Sequence, residues 1–534
     1  FASPPLKYRT ISFRELDRRC DQIAAGVRRR GVSPGTKISL MVPPGIEFVT
    51  WVFGLLRAEA TVILIDPGMG RNNMVRCLAE AAPDGLAGIL LAQAARIALR
   101  KRLPNCKLNF VVGPRPLPLG QSTAEFFAGN TTDTTLLRRD DKHDIEQPAA
   151  IIFTTGSTGP PKGVLYRHRH FIQQTIQIRD YFGVQPGGAD VSGFPLFALF
   201  NTGMGMTTVF PKMDATRPAN IVPENFIDAV EHFRANQSFG SPALWNTVSR
   251  FCEKHKRQMP TLQRVLTAGA PVPPHVLKRV RLAINSAGEV HTPYGATEAL
   301  PVACIESRAV LGETAALSRE GRGTCVGKSW PQINWQVIEI TDQPIADISS
   351  SRPLAKGEIG ELIVSGPVVT DRYVTRTEAN ALHKIADRTR FWHRMGDVGY
   401  LDDQGRFWFC GRKSHRVQTA TGTLFTIPLE AILNNHPAIY RSALVGVGKP
   451  GQQVPVLIAE PWPEHWPGST AAHERLRKEL SQLAAGHELT RSVQHVFLMK
   501  ALPVDIRHNA KIFREKLAVW AAEKLAGRAN PKIK

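Results

Sequence analysis

FTTGSTGPPKG, residues 153–163, gathers three glycines, four hydroxyl side chains and one lysine into eleven residues. The residues just before it, 149–153, are apolar and read as a strand. Gly156 and Gly159 permit the positive φ angles that turn successive backbone N–H groups inward around an anion. Thr154, Thr155, Ser157 and Thr158 add hydroxyl donors, and Lys162 adds a mobile cation. This is the chemistry of a phosphate cradle. A P-loop would instead read G-x-x-x-x-G-K-[ST] and pass its lysine straight into a helix. Here Pro160 and Pro161 remove two N–H donors, and Gly163 stands where that loop carries a Mg²⁺-binding hydroxyl. The stretch is therefore a phosphate loop of another kind.

Its surroundings set the fold class. FRELDRRCDQIAAGVRRRG (13–31) has apolar residues at helical spacing and stops on Gly31. Residues 37–43 read as a strand, 46–58 as a helix and 60–66 as a buried strand, a βαβ rhythm that predicts a parallel, doubly wound sheet. The rhythm recurs through 226–305, with a strand at 263–269 and a helix at 273–285. From about residue 330 the pattern becomes alternating strands: NWQVIEI, GEIGELIVSG and GRFWFCGR, with a loop at 347–353. After Arg412 a smaller α+β unit follows, ending in a basic helix over 510–526.

A chain of 534 residues is too long for one core. Its 43% hydrophobic and 21% charged content is that of a globular protein. The longest apolar runs, such as residues 48–56, stop well short of the ~20 residues that span a membrane. The net charge of +21 is dispersed, with its densest run at Arg28–Arg30 and no zinc-finger or RNP-like segment. A solvated basic surface is favoured over nucleic-acid binding, and peripheral attraction to anionic lipid headgroups or acidic substrates stays open. Seven cysteines are scattered singly, which predicts reduced thiols in a cytoplasmic protein and no metal site built on them. The chain opens on Phe1 with no signal-peptide pattern, so a few residues are expected to precede it.

The loop resembles that of the adenylate-forming superfamily: acyl-CoA synthetases, peptide-synthetase adenylation domains and beetle luciferases. Other motifs of that superfamily follow in order. TAGAP (267–271) resembles the segment that packs on adenine, with Gly269, Ala270 and Pro271. YGATE (294–298) resembles the motif whose Thr297 meets the α-phosphate and whose Glu298 holds Mg²⁺, beside Tyr294 and Gly295. MGDVG carries Asp397 and GRK carries Arg412, which resemble the ribose ligands. NAKIFR (509–514) carries Lys511, which resembles the lysine that touches the reacting carboxylate.

The resemblance implies an α/β fold. A large N-terminal domain, 1–411, would hold doubly wound βαβ subdomains and a distorted β-barrel, and a small mobile α+β domain, 412–534, would bring Lys511. It implies ATP and Mg²⁺ as cofactors. Without the motif context, Glu298 would be a helix-start charge, Lys511 one solvated lysine on a basic helix, and Asp397 with Arg412 a structural ion pair.

Several positions depart from the superfamily pattern. Ala198, in PLFALF, stands where many members have a pocket histidine. Ser414 replaces the hinge Asp or Lys, and Ala510 replaces a glycine before Lys511. Ala420 and Thr421 occupy the place of a glycine pair that flanks the route of CoA, and their Cβ atoms are expected to narrow it. Together with PLFALFN and YGATEALPV, the loop looks most like the β-lactone synthetases of bacterial long-chain olefin biosynthesis. That resemblance implies a long-chain β-hydroxy fatty acid as substrate and other enzymes of such a pathway as partners. The acyl pocket is expected to involve Ala198, Phe200, Met204, Met206, Phe239 and Trp245, since Met and aromatic side chains adapt to alkyl chains. The competing readings are a medium- or long-chain acyl-CoA ligase and, in another class, a basic scaffold that has lost catalysis.

Overall fold

The computed structural model describes residues 7–113, 121–122, 126, 144–154, 159–388, 390–504 and 511–528. The first sheet comprises β1 (Lys37–Met41), β2 (Thr61–Leu64), β3 (Gly85–Gly88), β4 (Leu108–Val111), β5 (Gln121–Ser122), β6 (Pro148–Phe153) and β7 (Gly163–Arg167). Their order is β5-β4-β3-β1-β2-β6-β7, parallel throughout except for β7. Helices α1 (Phe13–Arg28), α2 (Ile46–Arg57), α3 (Arg71–Ala81) and α4 (Leu90–Ala98) belong to this unit. α1 starts where the Ser12 hydroxyl accepts the Glu15 N–H, and it buries Leu16, Cys20, Ile23 and Val27. It ends at Arg28, a turn before the expected Gly31. α1 and α2 pack closely enough that a Cβ at Gly54 would come within 2.6 Å of the Ile23 side chain.

The second sheet has twelve strands. Its parallel part is formed by β8 (Ala189–Ser192), β9 (Thr207–Val209), β10 (Gln237–Gly240), β11 (Arg264–Thr267) and β12 (Glu289–Ala296). β12 then turns back on β13 (Ala299–Glu306), and from there the sheet is antiparallel. It continues through β14 (Thr324–Ser329), β15 (Asn334–Ile338), β16 (Gly360–Ser365), β17 (Lys384–Asp387), β18 (Arg390–Leu401) and β19 (Arg406–Arg412), in the order β13-β14-β19-β18-β16-β15. The strands expected as a distorted barrel are hydrogen-bonded to the second βαβ sheet through the β12–β13 pair. The β12–β13 hairpin lies at the junction, just beyond the carboxyl end of β11, where open α/β sheets bind ligands.

After Arg412 a new set of elements begins. A short hairpin, β20 (Val417–Thr419) and β21 (Gly422–Leu424), precedes the three-stranded sheet β22 (Ile439–Val447), β23 (Val454–Pro461) and β24 (His495–Leu498). Alternation along β22 and β23 serves both faces. Ala443, Val445, Val456 and Ile458 pack with Leu517 and Trp520 of the helix Arg514–Leu525, while Leu444 and Leu457 pack with Leu476 and Leu480 of the helix Thr470–Ala485. All seven cysteines are buried and none forms a disulfide. Among the described residues no helix is long and apolar enough to cross a membrane.

A buried ion pair ties this small domain together. Arg514 pairs with both carboxylate oxygens of Glu430 and donates to the Leu444 carbonyl at 3.1 Å, while Glu430 accepts the Leu444 N–H at 2.8 Å. Removing one partner strands a buried charge, which costs about 3–5 kcal/mol, whereas replacing both with apolar groups costs far less. Arg514→Met is therefore expected to destabilise the domain by about 3–5 kcal/mol in urea unfolding. The double variant Glu430→Leu/Arg514→Met should lose less than either single variant. Additive losses would contradict the pairing.

Candidate active site

The glycine- and hydroxyl-rich loop connects two antiparallel strands, with Phe153 of β6 opposite Gly163 of β7. Its ends are pinned to each other: Thr154 N–H donates to the Lys162 carbonyl and Lys162 N–H to the Thr154 hydroxyl, both at 3.0 Å. Thr155, Gly156, Ser157 and Thr158 lie outside the described residues. Gly159 adopts φ +151°, a conformation side chains rarely take. Gly163 is glycine for packing. A Cβ there would meet Ile151 at 3.0 Å, and its N–H donates to Thr375 Oγ1 at 2.8 Å.

Thr297 and Glu298 form the turn between β12 and β13, so Glu298 is a hairpin-turn residue and not a helix-start charge. Gly295 is squeezed under this turn, where a Cβ would lie 2.7 Å from the Ala299 carbonyl. Three side chains hold the turn. Tyr166 of β7 donates to the Thr297 carbonyl at 2.6 Å, Thr370 donates its N–H (2.9 Å) and hydroxyl (3.0 Å) to the Glu298 carbonyl, and Tyr373 donates to Glu298 Oε1 at 2.6 Å. The first sheet thereby grips the turn of the second.

Cations surround it. Lys162 Nζ stands 5.0 Å over the Tyr373 ring and 3.4 Å from His383 Nε2. Burial lowers its ammonium pKa, while the Glu298 charge opposes that shift. Lys384 donates to the Thr370 carbonyl and its Nζ lies 5.6 Å from the centre of the Tyr373 ring. Burial holds the His383 imidazole down to about 4, so it is neutral near pH 7.

Asp397 of β18 and Arg412 of β19 are register partners on neighbouring antiparallel strands. Arg412 Nη1 lies 2.9 Å from Asp397 Oδ1 and donates to the Met395 carbonyl at 3.1 Å. Tyr294 of β12 donates its hydroxyl to Asp397 Oδ2. Burial raises the Asp397 pKa against the pull of Arg412, and burial followed by the Asp397 charge lifts the Tyr294 phenol well above its usual range. Although paired, Asp397 Oδ1 is buried and accepts no well-formed hydrogen bond among the described residues. A sugar hydroxyl would satisfy it.

Gly269, Ala270 and Pro271 follow the carboxyl end of β11, and Gly269 takes φ +98°. Lys511 is partly buried in the small domain, beside Ile512, which bridges to Val504. Phe200, Met204, Met206 and Phe239 share one apolar cluster with Tyr294, Ala296 and Ala299, and Phe197 stacks on Phe239 at 4.4 Å. Ala198 is fully buried on the helix Phe197–Gly203 of that wall. Trp245 does not join them. It packs edge-on to Phe226 in the helix–sheet core behind β10. Ala420 and Thr421 form the exposed two-residue tip between β20 and β21.

Among the described residues no three His, Cys, Asp or Glu side chains converge to cage a metal. Mg²⁺ commonly uses one or two carboxylates and completes its shell with water and phosphate, a role that a lone Glu298 beside a phosphate loop fits.

The AMP-binding enzyme family matches residues 4–374 of the chain. The chain is 45% identical over 525 residues to an olefin beta-lactone synthetase of Stenotrophomonas maltophilia, covering 97% of this chain and 93% of that protein. A second olefin beta-lactone synthetase, from Xanthomonas campestris pv. campestris, is 44% identical over 519 residues, with 96% and 91% covered. Among solved structures, an amide bond synthetase of Marinactinospora thermotolerans superposes with a TM-score of 0.75 at 19% identity, covering 96% of this chain and 95% of that one.

Lys384 makes the site's electrostatics measurable. Burial brings its ammonium down to about 7, helped by Lys162 and opposed by Glu298 and Asp371. In the unfolded chain it titrates near its ordinary value, about 10.4. Between pH 7 and 10 the unfolded chain therefore holds a proton that the folded chain has released, and stability rises with pH by up to ~1.4 kcal/mol per unit. Relative to Lys384→Met, the unaltered protein should gain stability between pH 7 and pH 9 in urea unfolding. Parallel profiles would show that Lys384 is not held in a low-polarity site.

Proposed function

The chain belongs to the AMP-binding enzymes and is an AMP-forming ligase, and we propose that it activates a long-chain β-hydroxy acid as acyl-AMP and releases it as a β-lactone. The observation that carries the acceptor is the likeness to two olefin beta-lactone synthetases over nearly the whole length of each.

A carboxylate is a poor electrophile. Its oxygen attacks the α-phosphorus of ATP, the bond from that phosphorus to pyrophosphate breaks, and the acyl group gains AMP as a leaving group. Two anions must approach, so positive charge and N–H donors must already be in place. In this reading the loop from Thr154 to Lys162 holds the outer phosphates and Thr297 meets the α-phosphate. Asp397, braced by Arg412, takes the ribose hydroxyls. Gly269, Ala270 and Pro271, with Tyr294 and Gly295, form the adenine seat. Mg²⁺ on Glu298 would neutralise phosphate charge. Lys511 would bring the last cation to the carboxylate as the small domain, 412–534, turns on the large one.

In the second step the substrate's own β-oxygen attacks the acyl carbon. The carbon–oxygen bond to AMP breaks, AMP leaves with one former carboxylate oxygen, and the hydroxyl proton passes to solvent. An internal nucleophile supplies the effective concentration that a second bound substrate would otherwise need. The cluster around Ala198, Phe200, Met204, Met206 and Phe239 suits an alkyl chain. A reactive lactone product fits an enzyme that works beside others of olefin biosynthesis.

Incubation with ATP, Mg²⁺ and a β-hydroxy acid, without CoA, is expected to release AMP over many turnovers and to give lactone by mass spectrometry. A plain fatty acid lacks the internal nucleophile, so its acyl-AMP should stay bound and turnover should stop near one equivalent of pyrophosphate per enzyme. Sustained turnover of the plain acid with CoA to acyl-CoA, at a rate matching the hydroxy acid, would overturn the lactone reading and leave a ligase.

A further inference from the structure

Helix α4 is amphipathic with its polarity reversed. Toward the sheet it turns Gln93, fully buried, whose amide donates to the carbonyls of Leu86 (3.3 Å) and Phe110 (2.9 Å). Arg96 lies beside it and donates to Gln93 Oε1 at 3.0 Å. Ala92 completes that face against Gly88, where a Cβ would come within 3.0 Å of the Ala92 methyl. Toward solvent the helix presents only apolar side chains: Leu90, Leu91, Ala94, Ala95, Ile97 and Ala98. Leu91 is 76% exposed, Leu90 38% and Ile97 39%. These positions adjoin on the helix surface at i, i+3 and i+4 spacing, so they make one continuous patch. A water-facing helix ordinarily shows the opposite arrangement.

The chain runs from this helix directly into Arg100, Lys101 and Arg102, all exposed. Residues 85–113 contain no Asp or Glu, and among the described residues no carboxylate pairs with any of the three cations. An apolar face that runs on into three exposed cations matches a surface that is itself negative and has an apolar interior. The patch also lacks the aromatic anchors that concentrate binding energy at protein interfaces. We propose that α4 docks this protein on an anionic lipid surface, with Leu90, Leu91 and Ile97 entering the boundary between headgroups and acyl chains and Arg100, Lys101 and Arg102 meeting the lipid phosphates. The inference stands apart from the acyl chemistry, since it needs neither ATP nor any particular acid.

The test is sedimentation of the full chain with phosphatidylglycerol–phosphatidylcholine vesicles and with pure phosphatidylcholine vesicles, without nucleotide or acid. The unaltered protein is expected to partition at least tenfold more strongly onto the anionic vesicles. Leu91→Glu/Ile97→Glu and Arg100→Ser/Lys101→Ser/Arg102→Ser should each lose at least tenfold of that partition, with AMP formation in lipid-free solution unchanged as evidence of an intact fold. The proposal is overturned if the unaltered protein stays in the supernatant, or if both variants sediment as it does. It is equally overturned if the protein ignores vesicles but is a dimer that Leu91→Glu/Ile97→Glu splits, because a second copy then covers the face.

Discussion

Asp397 and Arg412 face each other across two antiparallel strands, and much of the site is organised by that pairing. A carboxylate buried in a sheet needs compensation, because its desolvation is costly unless it is paired and hydrogen-bonded. Arg412 supplies the charge from β19 and Tyr294 supplies a hydrogen bond from β12, so one carboxylate joins the two halves of the second sheet. Arg412 is also the last strand residue before the small domain, and its charge reaches on to His415. Burial, with Arg514 and Arg412 behind it, holds that imidazole down to about 3, which keeps the linker from adding another cation there.

The Glu298 turn extends the same logic between sheets. Tyr166, next to the phosphate loop on β7, clamps the Thr297 carbonyl, and Tyr373 clamps the Glu298 carboxylate. Lys162, Lys384 and Arg412 all act electrostatically on Glu298 or are acted on by it. Lys162 and Arg412, with Lys384 part-protonated near pH 7, set positive charge beside Glu298 and Asp397, and charges fixed before binding need no reorganisation when negative charge develops during the transfer.

Much of this is legible in the sequence. The loop at 153–163 reads correctly as a strand followed by a turn because glycine and hydroxyl chemistry is local, and the βαβ rhythm of the first sheet follows from short-range periodicity. The continuity of the second sheet is not legible, since the β12–β13 reversal at Thr297–Glu298 carries no turn signature of Gly or Pro between the strands. Tyr166, Thr370, Tyr373 and Lys384 escape a motif reading altogether. Tyr373 meets a carboxylate 75 residues away in the chain, and no spacing rule connects them. Trp245 shows the converse error: a large aromatic near the pocket in sequence sits on the buried side of its helix, where Phe226 is its neighbour.

Activation of the carboxylate, followed by capture by the β-oxygen, fixes where every oxygen atom must go. A substrate bearing ¹⁸O in both carboxylate positions, turned over in ordinary water and analysed by mass spectrometry, reads that route directly. Adenylation at the carboxylate predicts AMP carrying one ¹⁸O and a lactone carrying one ¹⁸O, in its carbonyl. Unlabelled AMP together with a doubly labelled lactone would mean that the hydroxyl oxygen had been activated and displaced instead, and would contradict acyl-adenylate formation at this site.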